Sequence, residues 1–175
     1  MYERVAVITG MPRSGTSWVG QMVESCPAVR YKMSPLFSWT FKNALGPGAS
    51  REEWERLLRA AYATPGEFLD QTHRRAAGEY PVFEERMEEP PVLVLFPEIK
   101  MLSVVRHPCG AIHSWLTATG EFPPDADPLE HWRTGAAKKT GPEDFFGFDD
   151  WKKVTRLHLS LAEEHPERFR VARYE

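Results

Sequence analysis

The stretch Gly10-Met-Pro-Arg-Ser-Gly-Thr-Ser-Trp18 brings two glycines, the guanidinium of Arg13 and the hydroxyls of Ser14, Thr16 and Ser17 into one short segment. Glycine permits a tight turn and close approach of backbone to a ligand. Successive N–H groups in such a turn face inward as a nest for anionic oxygens, and a helix opening at Thr16 would aim the positive end of its dipole at the same point. The chemistry is therefore phosphate binding. Against the Walker pattern GxxxxGK[ST], Gly10 and Gly15 match, but Thr16 stands where the lysine belongs. Arg13 puts a positive charge inside the loop instead. Nucleoside-triphosphate chemistry uses the missing lysine on the β- and γ-phosphates, with Mg²⁺ held by the adjacent hydroxyl and a distant Asp. No hydrophobic strand ends in an Asp that would complete such a site, so kinase or NTPase chemistry is disfavoured.

A second constellation follows in Val104-Val-Arg-His-Pro-Cys-Gly-Ala-Ile-His-Ser-Trp115. Arg106 falls at the carboxyl end of a strand, Pro108 suits a first helical position, and Ser114 lies about two turns into the helix. The planar fork of an arginine donates two hydrogen bonds at once to a phosphate. A lone Arg after a strand would be read as an ordinary surface residue. Two anion sites at neighbouring strand ends describe instead a nucleoside with phosphates at two positions.

The elements that must carry these residues are legible around them. Arg4 to Thr9 is a β-branched run, and Met101 to Val105 and Phe169 to Tyr174 are the other strands that stand out; Val29 to Lys32 is a further short candidate. Helices are expected over Thr16 to Ser25, Pro35 to Ala44, Arg51 to Tyr62, about Thr64 to Ala77, Pro108 to Thr119, Leu129 to Ala137 and Asp149 to Glu164. Ser50-Arg-Glu-Glu53 is a capping box for the third of these. The last is amphipathic, with Trp151, Val154, Leu157 and Leu161 on one face. Strands alternating with helices imply an α/β domain with a central parallel sheet covered on both faces. Ligands of such sheets bind at the carboxyl ends of the strands, where both motifs fall.

Pro12-Arg-Ser-Gly-Thr-Ser-Trp18 resembles the 5′-phosphosulfate loop of the sulfotransferases that use 3′-phosphoadenosine 5′-phosphosulfate (PAPS). Val105-Arg-His-Pro-Cys-Gly-Ala-Ile-His-Ser114 is similar to that family's 3′-phosphate motif, an Arg followed eight positions later by a Ser. Arg173-Tyr-Glu175 is similar to the Arg-Tyr-Glu that ends a later strand in many members. The resemblance implies one domain over residues 1–175, a three-layer sandwich of the P-loop-NTPase-like type. It implies PAPS as sulfuryl donor and transfer to a hydroxyl or amine of a small-molecule or carbohydrate acceptor. Pro12, Arg13, Ser14, Gly15, Thr16, Ser17 and Trp18 would hold the 5′-phosphosulfate, with Arg13 the catalytic cation on the leaving phosphate. Arg106 and Ser114 would hold the 3′-phosphate. The alternatives are a P-loop nucleotide or small-molecule kinase and a non-catalytic domain that binds PAPS or its product. Many members carry a Glu base some twenty residues after the loop, where this chain reads Tyr31-Lys-Met-Ser-Pro35; His73, Glu84 and Glu85 are candidates by residue type alone. Members also continue past this point with an Arg/Lys-Gly segment that helps clamp the 3′-phosphate, so the chain is expected to lack the usual C-terminal part.

The bulk numbers agree with a soluble binding domain and exclude other classes. The 175 residues suit a single core, with 42% hydrophobic and 27% charged side chains. A formal charge of −3 argues against general nucleic-acid binding. No apolar run is long enough for a membrane span, and nothing near the N-terminus reads as a signal peptide. Cys26 and Cys109 are too few for a disulfide framework, so a cytoplasmic setting is expected. Phe37, Trp39 and Phe41 suit an apolar acceptor pocket but are more simply core. Lys138 and Lys139 read as a solvated pair, and Cys109, beside the second motif, as a packed thiol.

Overall fold

A computed structural model of the chain describes residues 6–27, 44–45, 48–63, 99–140 and 144–175. Along these run strand β1 (Ala6–Thr9), helices α1 (Thr16–Glu24) and α2 (Arg51–Ala63), strand β2 (Lys100–Arg106), helices α3 (Pro108–Leu116), α4 (Pro128–His131) and α5 (Gly147–Glu164), and strand β3 (Phe169–Tyr174). The three strands form one parallel sheet in the order β1-β2-β3. Thr9 pairs with Ser103, and Arg106 pairs with Tyr174. The fold is α/β, with β2 in the middle and the first motif's loop leaving the same end of the sheet as the second motif.

Side chains alternate across the sheet, so Val7, Met101, Phe169 and Val171 share one face. There they pack with Trp54 and Leu57 of α2 and Leu157 and Leu161 of α5. Trp54, Met101, Leu161 and Phe169 are each no more than 2% exposed. A second cluster joins Met11 of the first loop to Phe145 and Val154, with Trp151 against it. A third packs Trp115 of α3 on Phe122 and Phe146, with ring centroids 5.2 and 5.4 Å apart.

Most expected elements are found. α2 starts on its capping box: the Ser50 N–H donates to Glu53 Oε2 at 2.8 Å and the Glu53 N–H to Ser50 Oγ at 3.3 Å. Two helices are shorter than their sequence patterns. α3 ends at Leu116 instead of Thr119: the Ala118 N–H bonds the Trp115 carbonyl, three residues back, and the chain turns on through Gly120 at φ 78°. α4 spans only Pro128–His131, not 129–137. The carbonyls of Trp132 and Arg133 accept from the N–H groups of Phe148 and Asp149, at 3.1 and 2.9 Å. They close the open N-terminus of α5 rather than extend their own helix. α5 in turn begins at Gly147, two residues earlier than its apolar pattern suggests, with the Phe146 N–H held by Asp150 Oδ2 at 3.0 Å. The expected strand at 29–32 and the helices at 35–44 and 64–77 lie outside the described residues, apart from Ala44.

Candidate functional site

The first motif turns sharply between β1 and α1. The Ser14 N–H bonds the Met11 carbonyl at 3.1 Å. Arg13 takes φ 68°, the one positive φ at a non-glycine among the described residues. Gly15 follows at φ 94° and caps α1. Both glycines are required by space. A Cβ on Gly10 would lie 2.4 Å from the Val104 carbonyl oxygen, and one on Gly15 2.7 Å from Tyr174 Cδ2. The loop is thereby pressed against the carboxyl end of β2 and the last residues of β3.

The start of α1 is electrically open. No side chain caps it, and its first turn holds no carboxylate, whereas α2 and α5 each carry two acidic residues there. Its dipole therefore favours an external anion. Ser14 sits inside the loop at 1% exposure, and its hydroxyl has no hydrogen-bond partner. An orphaned buried hydroxyl is costly unless something else satisfies it. Thr16 and Ser17 are half-buried in the first turn, Pro12 is buried, and Trp18 stands 55% exposed. The Trp18 ring meets Tyr174 edge-on at 5.9 Å.

The second motif reaches the first. Arg13 Nε donates to Ser114 Oγ at 3.2 Å, and Arg106 Nη1 donates to the Arg13 carbonyl at 3.2 Å. The residues assigned from the sequence to two separate phosphate positions therefore form one connected group. Neither guanidinium has an ion pair with a carboxylate among the described residues. Among the described residues, two cations with no carboxylate paired to them beside a bare helix start favour an anion at this end of the sheet. The turn from β2 to α3 is closed by Pro108 in the first helical turn and by His107 Nδ1, which accepts from the Cys109 N–H at 3.3 Å. No cluster of His, Cys, Asp and Glu suited to a metal ion occurs among the described residues.

Two residues at the site carry no site role in the sequence reading, although Tyr174 belongs to the Arg173-Tyr-Glu175 motif. Tyr174 lies under the guanidinium of Arg106, 5.4 Å from its Cζ, and against Gly15. Its position follows from the Arg106–Tyr174 register, which no local pattern encodes. Trp151 of α5, read from the sequence as part of an apolar face, donates its indole N–H to the Arg106 carbonyl at 3.0 Å. Lys138 and Lys139 are engaged locally: Lys138 Nζ bonds the Gly120 carbonyl, and Lys139 pairs with Asp150 at 2.7 Å. Cys109 is exposed rather than packed. Phe37, Trp39, Phe41, His73, Glu84 and Glu85 fall outside the described residues.

Comparison with protein-family models, with curated proteins and with solved structures finds no match. No helix among the described residues is long and apolar enough to cross a membrane.

Proposed function

We propose that this chain is a PAPS-dependent sulfotransferase built on a three-layer P-loop-type domain, working in the cytoplasm on a hydroxyl or amine of a small-molecule or carbohydrate acceptor. The observation that carries this is the convergence of Arg13, Arg106 and Ser114 on the β1–α1 loop, beside the orphaned Ser14 hydroxyl. The residues present fit a doubly phosphorylated nucleotide. Gly10 and Gly15 let the loop close on Val104 and Tyr174 where a Cβ would clash, the loop N–H groups and the Ser14 hydroxyl suit the 5′-phosphosulfate, and Arg106 with Ser114 suits the 3′-phosphate.

Bound PAPS supplies an activated sulfuryl group on a phosphate leaving group. In the overall balance, the bond from sulfur to the phosphate oxygen breaks, a bond from sulfur to the acceptor forms, and the acceptor proton passes to a base. The described part of the chain contributes positioning and charge. The nest and α1 hold the phosphosulfate in one orientation. Arg13 spreads the negative charge that grows on the departing phosphate, which is stabilisation aimed at the transition state. Candidates for the base by residue type are His73, Glu84 and Glu85.

Thermal unfolding with adenosine 3′,5′-bisphosphate tests the assignment. At 100 times its Kd a ligand adds about 2.7 kcal/mol, which raises Tm by about 5–10 °C in a domain of this size. No rise at millimolar nucleotide removes the assignment. Arg106→Ala is expected to weaken the bisphosphate much more than adenosine 5′-phosphate; equal losses would put the 3′-phosphate elsewhere. Sulfate transfer from labelled PAPS to an acceptor panel then separates an enzyme from a non-catalytic binding domain, and a requirement for Mg²⁺ and ATP would assign a kinase instead.

A further inference from the structure

β2 runs past the end of β1. Thr9 is the last residue of β1 and faces Ser103, so residues 104–106 have a strand partner only on the β3 side. A carbonyl at such a strand end takes its partner from a side chain or from water. Here the Arg106 carbonyl accepts the indole N–H of Trp151, at 3.0 Å, from a helix 45 residues further along the chain. The same indole packs against the cluster of Met11, Phe145 and Val154. Met11 belongs to the first motif and is itself 5% exposed. On the outer side the ring stacks on Phe148, with centroids 6.0 Å apart and planes 4° from parallel. One side chain thus grips the backbone of the second motif while its ring packs on the cluster that holds a residue of the first.

We propose that Trp151 is a positioning residue that fixes Arg106 relative to the β1–α1 loop. Packing holds the indole plane through Phe148 and the Met11 cluster, so its N–H points in a fixed direction. That N–H pins the Arg106 carbonyl, and with it the start of the Arg106 side chain. The guanidinium is then steered by the Tyr174 ring beneath it and by the Arg13 carbonyl. Gly110 allows this path, since a Cβ there would come within 3.0 Å of Arg106 Nε. An arginine placed in advance loses less side-chain freedom when it binds a phosphate, and that advantage appears as affinity. The role rests on the assignment of Arg106 to the 3′-phosphate made above.

Two variants remove the N–H and keep a ring: Trp151→Phe, and replacement of Trp151 by the benzothiophene analogue of tryptophan, which keeps the shape. Each is titrated calorimetrically with adenosine 3′,5′-bisphosphate and with adenosine 5′-phosphate, and its Tm is recorded. Affinity for the bisphosphate is expected to fall by about five- to tenfold, the size of one hydrogen bond, with the monophosphate changed by no more than about twofold. In an Arg106→Ala background the same replacements are expected to have no further effect, because the coupling runs through Arg106. Equal losses on both nucleotides, or an undiminished loss without Arg106, would make Trp151 a packing residue only. An unaltered bisphosphate affinity in the benzothiophene variant would equally end the proposal. If the unmodified protein does not prefer the bisphosphate over the monophosphate, the assignment of Arg106 falls first and the proposal with it. The two failures are therefore read from different proteins.

Discussion

At Gly15 two demands meet in one residue. The backbone needs φ 94°, and the Tyr174 ring leaves no room for a Cβ. Gly15→Ala is expected to cost about 1–3 kcal/mol from backbone strain and crowding together. Adding Tyr174→Ala relieves the crowding but not the φ, so only part of the loss should return in urea unfolding. Full recovery would show that the backbone conformation costs nothing there. His158 offers a second test at this scale. It is fully buried on α5, with Nδ1 2.7 Å from Ser103 Oγ, and Nε2 has no hydrogen-bond partner. Burial pushes its pKa down from 6.5 to about 4. The unfolded chain therefore takes up a proton near pH 6.5 that the folded chain refuses until about pH 4. The contribution to stability is complete above pH 6.5, falls as the pH drops through that window and levels off below it. The loss is about 3 kcal/mol. In His158→Gln this dependence should disappear, so the stability gap between the two proteins should narrow by that amount from pH 7.5 to pH 4. A gap that stays constant would mean that the ring is protonated, or hydrated, inside the fold.

Among the elements, α5 carries both core and site, and the two roles separate by residue. Leu161 is 1% exposed in the main cluster. Leu161→Ala is expected to cost about 2–5 kcal/mol and to lower Tm by roughly 5–15 °C. It should leave the preference between the two adenosine nucleotides unchanged in calorimetric titration. A changed preference would mean that the seating of the whole helix, not the Trp151 N–H, sets Arg106. The same helix shows what a sequence can disclose. Its apolar stripe is periodic and local, as are the capping box at Ser50 and the β-branched run of β1, and such features are read directly from neighbours in the chain. The end of α4 is not readable, because it is decided by hydrogen bonds that the Trp132 and Arg133 carbonyls accept from N–H groups of a helix more than a dozen residues on. The site divides along the same line. Arg13, Arg106 and Ser114 stand out by residue type and spacing. Their mutual contact, the Tyr174 ring and the Trp151 N–H depend on strand register and on how α5 seats against the sheet, and no short-range pattern carries either.

The whole molecule is organised so that its cationic group rests on all three strands. Arg13 follows β1, Arg106 ends β2, and Tyr174 ends β3 beside it. β2 and β3 also supply much of the main core through Met101 and Phe169. A ligand seated on these ends is expected to touch strands that open only with the whole fold. Its binding energy should therefore appear in global unfolding. With adenosine 3′,5′-bisphosphate at 100 times its Kd, the slowest-exchanging amides of β1, β2 and β3 are expected to slow together by about 100-fold, the factor that linkage gives for a ligand bound only by the folded state. Hydrogen exchange followed by NMR or mass spectrometry checks this strand by strand. If only the Gly10–Gly15 loop and the first turn of α1 slow, the loop opens separately from the sheet. Arg106 and Tyr174 would then be bystanders to binding, and the case for one site joining two phosphate positions would be lost along with the cooperative link. Equal slowing in all three strands would tie the nucleotide to the sheet's carboxyl edge as a whole, which a loop-only anion site could not do.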